Sequence, residues 1–202
     1  EAALTGHFVL TSLHTNDSIS TITRLMDMGI EPYLLASVMV GAVAQRLVRK
    51  VCLNCAVPYR PDEFLLTQLK LNHLIRTDIT FYYSRQCSTC EYTGYQGRIG
   101  IYEVLELDDM LRSMILQKQP EHLLRDQAIA RTGLRSLREQ ALELLKNGIS
   151  TVDEVSAILL DVGESPHVHC SNCHKLVSKE YVKCPYCAHM LYPQCPQCKI
   201  KV

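Results

Sequence analysis

The residues best suited to chemistry are ten cysteines, and every one belongs to a Cys-x-x-Cys pair: Cys52/Cys55, Cys87/Cys90, Cys170/Cys173, Cys184/Cys187 and Cys195/Cys198. Two intervening residues let a tight turn aim both sulfurs at one metal ion, and two such knuckles close a tetrahedron. Thiolate softness favours zinc, although iron fits the same cage. A disulfide framework needs an oxidising compartment, which nothing in the sequence implies. A thioredoxin-like redox pair sits at a helix start in a βαβ setting and does not recur five times along a chain.

Spacing separates the pairs. Cys170/Cys173 and Cys184/Cys187 are ten residues apart, the compact interval of a zinc ribbon. Cys52/Cys55 and Cys87/Cys90 are separated by thirty-one residues, which fits one site only if a small subdomain loops out between them. Cys195/Cys198 has no sixth pair. It is the start of a truncated second ribbon, or recruits His174 or His189, or carries no metal.

These knuckles need elements to hold them. Residues 6–13, short, apolar and opened by glycine, are predicted to form a buried strand. Asn16 or Asp17 is placed to cap a helix ending at Met28, with Gly29 as its stop. Pro32 suits the first turn of a second helix, predicted to continue to Arg49. A helix over 62–71 and a strand over 80–84 are expected between the first two knuckles. Residues 98–107 alternate as a strand does. Beyond them lie helices over 108–116, 120–133 and 136–146, with a capping box at Thr151–Glu154 opening a last helix to residue 160. Residues 163–166 read as a linker, and the ribbon tail follows.

Composition narrows the class. The chain has 202 residues, 47% of them hydrophobic, and 21 basic residues against 21 acidic ones, which places it among globular proteins. The longest charge-free apolar stretch, 32–44, is shorter than the roughly 20 residues of a membrane span. Residues 1–11 lack the basic start and cleavage site of a signal peptide, so a cytoplasmic location is expected. The first residue is not methionine and the chain opens as if inside a fold, so a fragment is expected. In residues 167–202, Lys175, Lys179, Lys183, Lys199 and Lys201 face one acid, Glu180. Four thiolates around a divalent ion carry a net charge of about −2, which offsets those lysines and weakens any nucleic-acid footprint.

Several segments, taken in order, carry a resemblance. Ala3-Leu4-Thr5-Gly6-His7-Phe8-Val9-Leu10-Thr11-Ser12-Leu13-His14-Thr15-Asn16 is similar to the histidine box of the type II secretion and type IV pilus assembly ATPases. Asp27-Met28-Gly29-Ile30-Glu31-Pro32-Tyr33, Ala44-Gln45-Arg46-Leu47-Val48-Arg49, the two middle knuckles and Gly94-Tyr95-Gln96-Gly97-Arg98-Ile99-Gly100-Ile101-Tyr102-Glu103 follow as in that family. The likeness covers about four-fifths of the chain and leaves out the tail.

The resemblance implies an α/β fold: the carboxyl-terminal part of a RecA-like P-loop ATPase core over 1–50, a tetracysteine zinc subdomain over 51–100 and a helical subdomain over 101–162. The zinc-ribbon tail occupies 163–202. It implies a hexamer on the cytoplasmic face of the inner membrane, working with membrane platform proteins, with ATP and Mg²⁺ bound between subunits. It pairs Cys52/Cys55 with Cys87/Cys90 around a structural zinc, making two zinc ions per chain. No Gly-x-x-x-x-Gly-Lys-Ser/Thr occurs, so the backbone cradle and lysine for the phosphates are absent from these residues, as is the acid that positions magnesium and water. The 202 residues alone are therefore expected to be inactive.

From the residues alone, His14 and Asn16 close a turn through local hydrogen bonds. The resemblance instead makes His14 a nucleotide-sensing group, with His7, Thr15 and Asn16 beside it. Arg24, Arg46 and Arg49 are candidates for phosphate or intersubunit carboxylate contacts, since a guanidinium fork suits both; otherwise they are solvated surface. A reading of another class is a non-enzymatic zinc-ribbon adaptor, with Tyr181, Tyr186 and Tyr192 stacking on bases or packing the ribbon core. The family resemblance makes nucleic acid the less expected partner.

Overall fold

A computed structural model describes residues 2–74, 77, 79–161, 167–170, 172–173, 176–178, 181 and 183–191. Its spine is a long antiparallel pair, β1 (Gly41–Val51) with β4 (Tyr95–Glu106), in register from Gly41 opposite Glu106 to Arg49 opposite Arg98. Side chains alternate across it. Ala44, Val48, Ile101 and Leu105 are buried on one face, while Val43, Leu47, Tyr102 and Val104 are exposed on the other.

Before this pair come two helices, α1 (Ser20–Asp27) and α2 (Pro32–Val38). Between its strands is inserted a small unit: β2 (Ala56–Tyr59), α3 (Glu63–Gln68) and β3 (Phe81–Ser84), with β2 and β3 paired antiparallel. After β4 run α4 (Asp109–Leu116), α5 (Glu121–Thr132), α6 (Leu137–Lys146) and α7 (Val152–Asp161). The tail carries a short antiparallel pair, β5 (His167–His169) with β6 (Leu176–Ser178).

Local sequence sets most of these boundaries. Asp108 Oδ1 accepts the Leu111 amide at 2.8 Å and so caps α4. Pro120 precedes α5, and Gly133, at φ +66°, stops it in the left-handed conformation that glycine adopts without strain. A full capping box, Ser136 with Glu139, opens α6. At α7 only half of the expected box forms: Thr151 Oγ1 accepts the Glu154 amide, while the Glu154 carboxylate turns to the amide and guanidinium of Arg49 instead.

Two expectations are corrected. The helix from Pro32 ends at Val38, because Met39 turns to extended backbone, and 41–51 form β1. Residues 33–44 are apolar nearly all round, so their period reads ambiguously; β4 supplies the ladder that decides it for β1. Gly41 passes so close to this strand that an added Cβ would lie 2.4 Å from the Leu105 carbonyl oxygen. The second correction concerns 6–13, which form no strand. β1 and β4 pair with each other, and among the described residues no strand pairs with this segment. Phe8 and Leu10 are left 81% and 84% exposed. At the start of α1 Asp17 caps as expected: its Oδ1 accepts the amide of Ser20, the first helical residue, at 2.8 Å.

The buried face of the β1–β4 pair carries two separate cores. One gathers Val48 and Ile101 with α3, β3, α6 and α7 around Leu71, Leu145 and Val155. The other gathers Leu105 with α1, α2, α4 and α5 around Ile22, Leu111 and Leu124. Glu103 lies between them on β4, fully buried.

Candidate functional site

The first two knuckles meet where β1 ends and β4 begins. The 52–55 turn closes through the Cys55 amide to the Cys52 carbonyl at 3.2 Å, and the 87–90 turn through the Cys90 amide to the Cys87 carbonyl at 3.3 Å. The Cys52 amide binds the Gly94 carbonyl at 3.0 Å, which ties one knuckle to the exit of the other. Cys52–Cys87, Cys55–Cys90 and Cys87–Cys90 sulfurs are 3.9, 3.8 and 3.7 Å apart, and all four lie within 4.8 Å of one another. Tetrahedral zinc with Zn–S bonds of about 2.3 Å requires sulfurs about 3.8 Å apart. A disulfide requires about 2.05 Å. The spacing therefore fits a metal cage.

Its surroundings fit as well. The Cys87 and Gly94 amides donate to Cys90 Sγ at 3.3 and 3.2 Å. Burial opposes ionisation of Cys90, but these donors outweigh it and lower the thiol to about 6. Ser84 Oγ lies 3.1 Å from Cys55 Sγ and accepts the Gln86 amide at 3.2 Å, which orients the hydroxyl proton toward the sulfur. This bond favours the Cys55 thiolate, yet burial and the neighbouring sulfurs raise that thiol to about 11. Four crowded sulfurs resist losing all their protons together, and a divalent cation removes that resistance. Gly94 is required here: its φ is +82°, and a Cβ would fall 2.6 Å from Ser84 Oγ.

The tail holds the second cage. Cys170 and Cys173 lie between β5 and β6 in sequence, and Cys184 and Cys187 lie at a turn after β6. The sulfurs of Cys170 and Cys187 are 3.5 Å apart, those of Cys173 and Cys184 3.6 Å, and all four fall within 4.8 Å. Backbone donation at His189, then the Asn172 side chain, lowers the Cys187 thiol to about 6 against the effect of burial. Cys195, Cys198 and His174 lie outside the described residues. Tyr181 and Tyr186 are exposed rather than packed into the ribbon.

The residues of the expected histidine box lie on a loop instead. His14 is exposed, Thr15 Oγ1 lies 3.1 Å from Thr21 Oγ1, and the Asn16 carbonyl accepts from Arg46 Nη2 at 3.1 Å. Arg46 thus holds the backbone of the loop. His7 makes a local contact, Nδ1 to Thr5 Oγ1 at 3.0 Å. Arg24 lies on the exposed side of α1. Arg49 is committed to Glu154 at 2.6 Å and stacks over the Tyr95 ring at 4.1 Å, so it is a structural contact within this chain.

Sequence reasoning gave no anchoring role to Glu103 or Arg125, which hold this loop. Glu103 Oε1 accepts both the amide and the hydroxyl of Ser18, at 2.9 and 2.6 Å, and Arg125 Nη2 donates to Asp17 Oδ2 at 2.6 Å. One signal was available: Glu103 occupies an inward position of an alternating strand, between Ile101 and Leu105. An acid there demands a buried partner.

Comparison with known proteins matches residues 1–157 to the family of type II/IV secretion system proteins. The chain is 44% identical over 155 residues to type II secretion system protein E of Pseudomonas aeruginosa, covering 77% of this chain and 30% of the relative. It is 41% identical over 157 residues to the type IV pilus assembly ATPase PilB of Thermus thermophilus, covering 78% of this chain and 18% of the relative. With the type II secretion system ATPase E of Vibrio cholerae it shares 38% over 159 residues, covering 78% of this chain and 31% of the relative. The chain thus spans less than a third of the length of these relatives. It belongs to the type II/IV secretion system protein family.

Proposed function

We propose that this chain is the carboxyl-terminal piece of a hexameric ATPase that powers type II secretion or type IV pilus assembly, extended by a zinc-ribbon tail. The observation that carries the reading is the family match over 1–157, with relatives that are secretion and pilus ATPases. In it, 1–50 belong to a RecA-like core, 51–100 form a zinc subdomain and 101–162 a helical subdomain. ATP and Mg²⁺ bind between subunits of the whole protein, which meets the inner membrane through platform proteins. No helix among the described residues is long and apolar enough to cross a membrane. The exposed apolar face of Val43, Leu47, Tyr102 and Val104, with Phe8 and Leu10, is the surface such a core would cover.

Zinc held by Cys52, Cys55, Cys87 and Cys90 supplies a rigid join between β1 and β4; a second ion held by Cys170, Cys173, Cys184 and Cys187 organises the tail. Neither does chemistry on a substrate, since four protein ligands leave no open position. His14, Thr15 and Asn16 respond to the nucleotide phosphates, with His7 nearby in sequence, while Arg46 holds the loop and Arg24 offers an intersubunit contact. Phosphoryl transfer depends on positioning and charge stabilisation. Without a phosphate cradle the 202 residues do not hydrolyse ATP. Phosphate release from ATP, measured for these residues and for the whole protein, tests this: turnover is expected only from the whole protein. Turnover by the 202 residues, or none by the whole protein, would overturn the reading.

A second reading applies to the tail. Exposed Tyr181 and Tyr186 flank Lys183, an arrangement that suits stacking on single-stranded nucleic acid. Salt-dependent retention on single-stranded DNA by the wild type, lost in Tyr186→Ala, would favour an adaptor role; no retention removes it.

A further inference from the structure

The loop that carries His14 gains its support only toward its carboxyl-terminal end, where Thr21 Oγ1 meets Thr15 and Arg46 Nη2 donates to the Asn16 carbonyl. His7 to Ser12 are exposed and lie outside any helix or strand. Its fixed end is Asp17–Ser18, buried at 7% and 0% exposure, and both residues are held by groups more than 80 positions downstream. Glu103 takes Ser18 through two donors on one oxygen, and its other oxygen accepts the Leu137 amide at 3.4 Å, at the first residue of α6. Arg125, on α5, reaches Asp17 at 2.6 Å, Glu121 at 3.3 Å and Glu103 at 3.8 Å. Asp17 in turn accepts the Ser20 amide that starts α1.

This cluster sits where apolar packing would be simpler. It lies beside Leu105 at the boundary of the two cores, and a buried ion pair is often no more stabilising than well-packed apolar groups of the same volume. What it adds is direction. Hydrogen bonds at fixed angles specify one position for the 16–18 segment, whereas apolar contacts admit sliding. The segment is joined by this means to β4, α5 and the start of α6 at once.

We propose that Glu103 and Arg125 are positioning residues for ATP hydrolysis: a buried latch that sets the His14–Asn16 loop and joins its movement to α5 and α6. The proposal rests on the reading of His14 as a nucleotide-facing group. Neither residue touches nucleotide; each acts through Asp17 and Ser18. Lysine in place of Arg125 keeps the charge but loses the fork that meets two carboxylates, so the latch is weakened without removing its charge. Misplacement of a reacting group by about 1 Å costs on the order of 100-fold in rate.

Two measurements test it. In the 202-residue chain, amide exchange of Arg125→Lys is followed at Ser18 and Ser20, with Val48 in the other core as reference. Exchange at the two serines is expected to rise about tenfold or more while Val48 is unchanged, since local opening and global unfolding separate in this way. Equal acceleration at all three, or none, overturns the latch. In the whole protein, kcat per folded hexamer is expected to fall about tenfold or more in Arg125→Lys and Glu103→Gln, with KM for ATP within about twofold. The control Arg135→Lys, at a surface pair with Glu143, keeps the wild-type kcat. Wild-type rates in both latch variants overturn the positioning role. An inactive wild type instead removes the ATPase reading, and the exchange result alone then decides the latch.

Discussion

The two cysteine cages have nearly the same sulfur geometry and differ in what surrounds them. The first joins the ends of two long strands already held by a ladder of backbone hydrogen bonds and by a core of α3, α6 and α7. The second has little beyond itself: among the described tail residues, the buried cluster is Cys170, Val177 and Cys184, with Cys173, Cys187 and Leu191 packed against it. In one region a metal would fasten a fold that exists for other reasons. In the other, the cysteines are most of the core. A small unit with so few apolar groups cannot offset the entropy of ordering its chain without a staple.

That contrast orders the expected effects of disturbing each cage. The largest comes from Cys187→Ser. Structural zinc contributes apparent free energies of about 10–16 kcal/mol in small finger peptides, so the tail should lose its hairpin altogether. Zinc content should drop from two ions per chain to one, and amide dispersion from 167–191 should collapse while the thermal transition of 2–161 is unchanged. A tail that keeps its hairpin without metal would break the contrast.

Cys90→Ser also removes one zinc per chain, yet its consequence should stay local. The β2–β3 unit and the 87–94 turn should become sensitive to limited proteolysis, while fragments containing β4 to α7 remain intact. General unfolding of 2–161 would show that the first cage carries its fold too.

Acid should separate the regions next. Protons compete with zinc for thiolate, so both cages lose metal as pH falls, and the tail should melt at that point. The rest should persist to lower pH, supported by carboxylates. The Leu111 amide, then Arg131, holds Asp108 below the ordinary carboxylate range. Burial opposes the same shift at Glu154, but the bonds from Arg49 outweigh it. Because these folded-state values are depressed, their stabilisation is complete above the ordinary carboxylate range and is lost as pH falls through the depressed values. Two acid transitions by circular dichroism, the tail first, are expected; one coincident transition would contradict this.

The smallest effect is Ser84→Ala, which removes the hydroxyl donor to Cys55 and leaves all ligands in place. Partners of metal ligands are worth about 10–100-fold in affinity. Chelator competition should show that weakening at the first cage only, and an equal change in the tail would refute the assignment of Ser84 to Cys55.

Sequence was most informative where a feature is local. The knuckle turns and the helix bounds near Asp108, Gly133 and Ser136 each depend on residues within a turn of one another, and each is present. It was least informative where a partner strand decides. Residues 41–49 read as helix because the apolar run over 33–44 does not reveal its period, and 6–13 read as strand though no described strand pairs with it. The candidate site divides the same way. His14 to Asn16 received a role from their motif, whereas Glu103, quoted only as the end of a family segment, and Arg125 received none, because what makes them matter is contact with Asp17 and Ser18 across the fold.

Composition and spacing alone determined that every cysteine lies in a Cys-x-x-Cys knuckle and that Cys170/Cys173 and Cys184/Cys187 stand at the interval of a ribbon, since two residues between thiols already constrain both sulfurs toward one point. They also determined where most helices of residues 108–161 begin and end, because caps act within one turn. Only the tertiary structure decided that thirty-one residues fold away so the first set can close, that the 41–51 segment is a strand, and that a buried glutamate fastens the histidine-box loop. Each depends on groups distant in sequence meeting at a few ångströms, and sheet pairing and buried charge take their energy from that meeting.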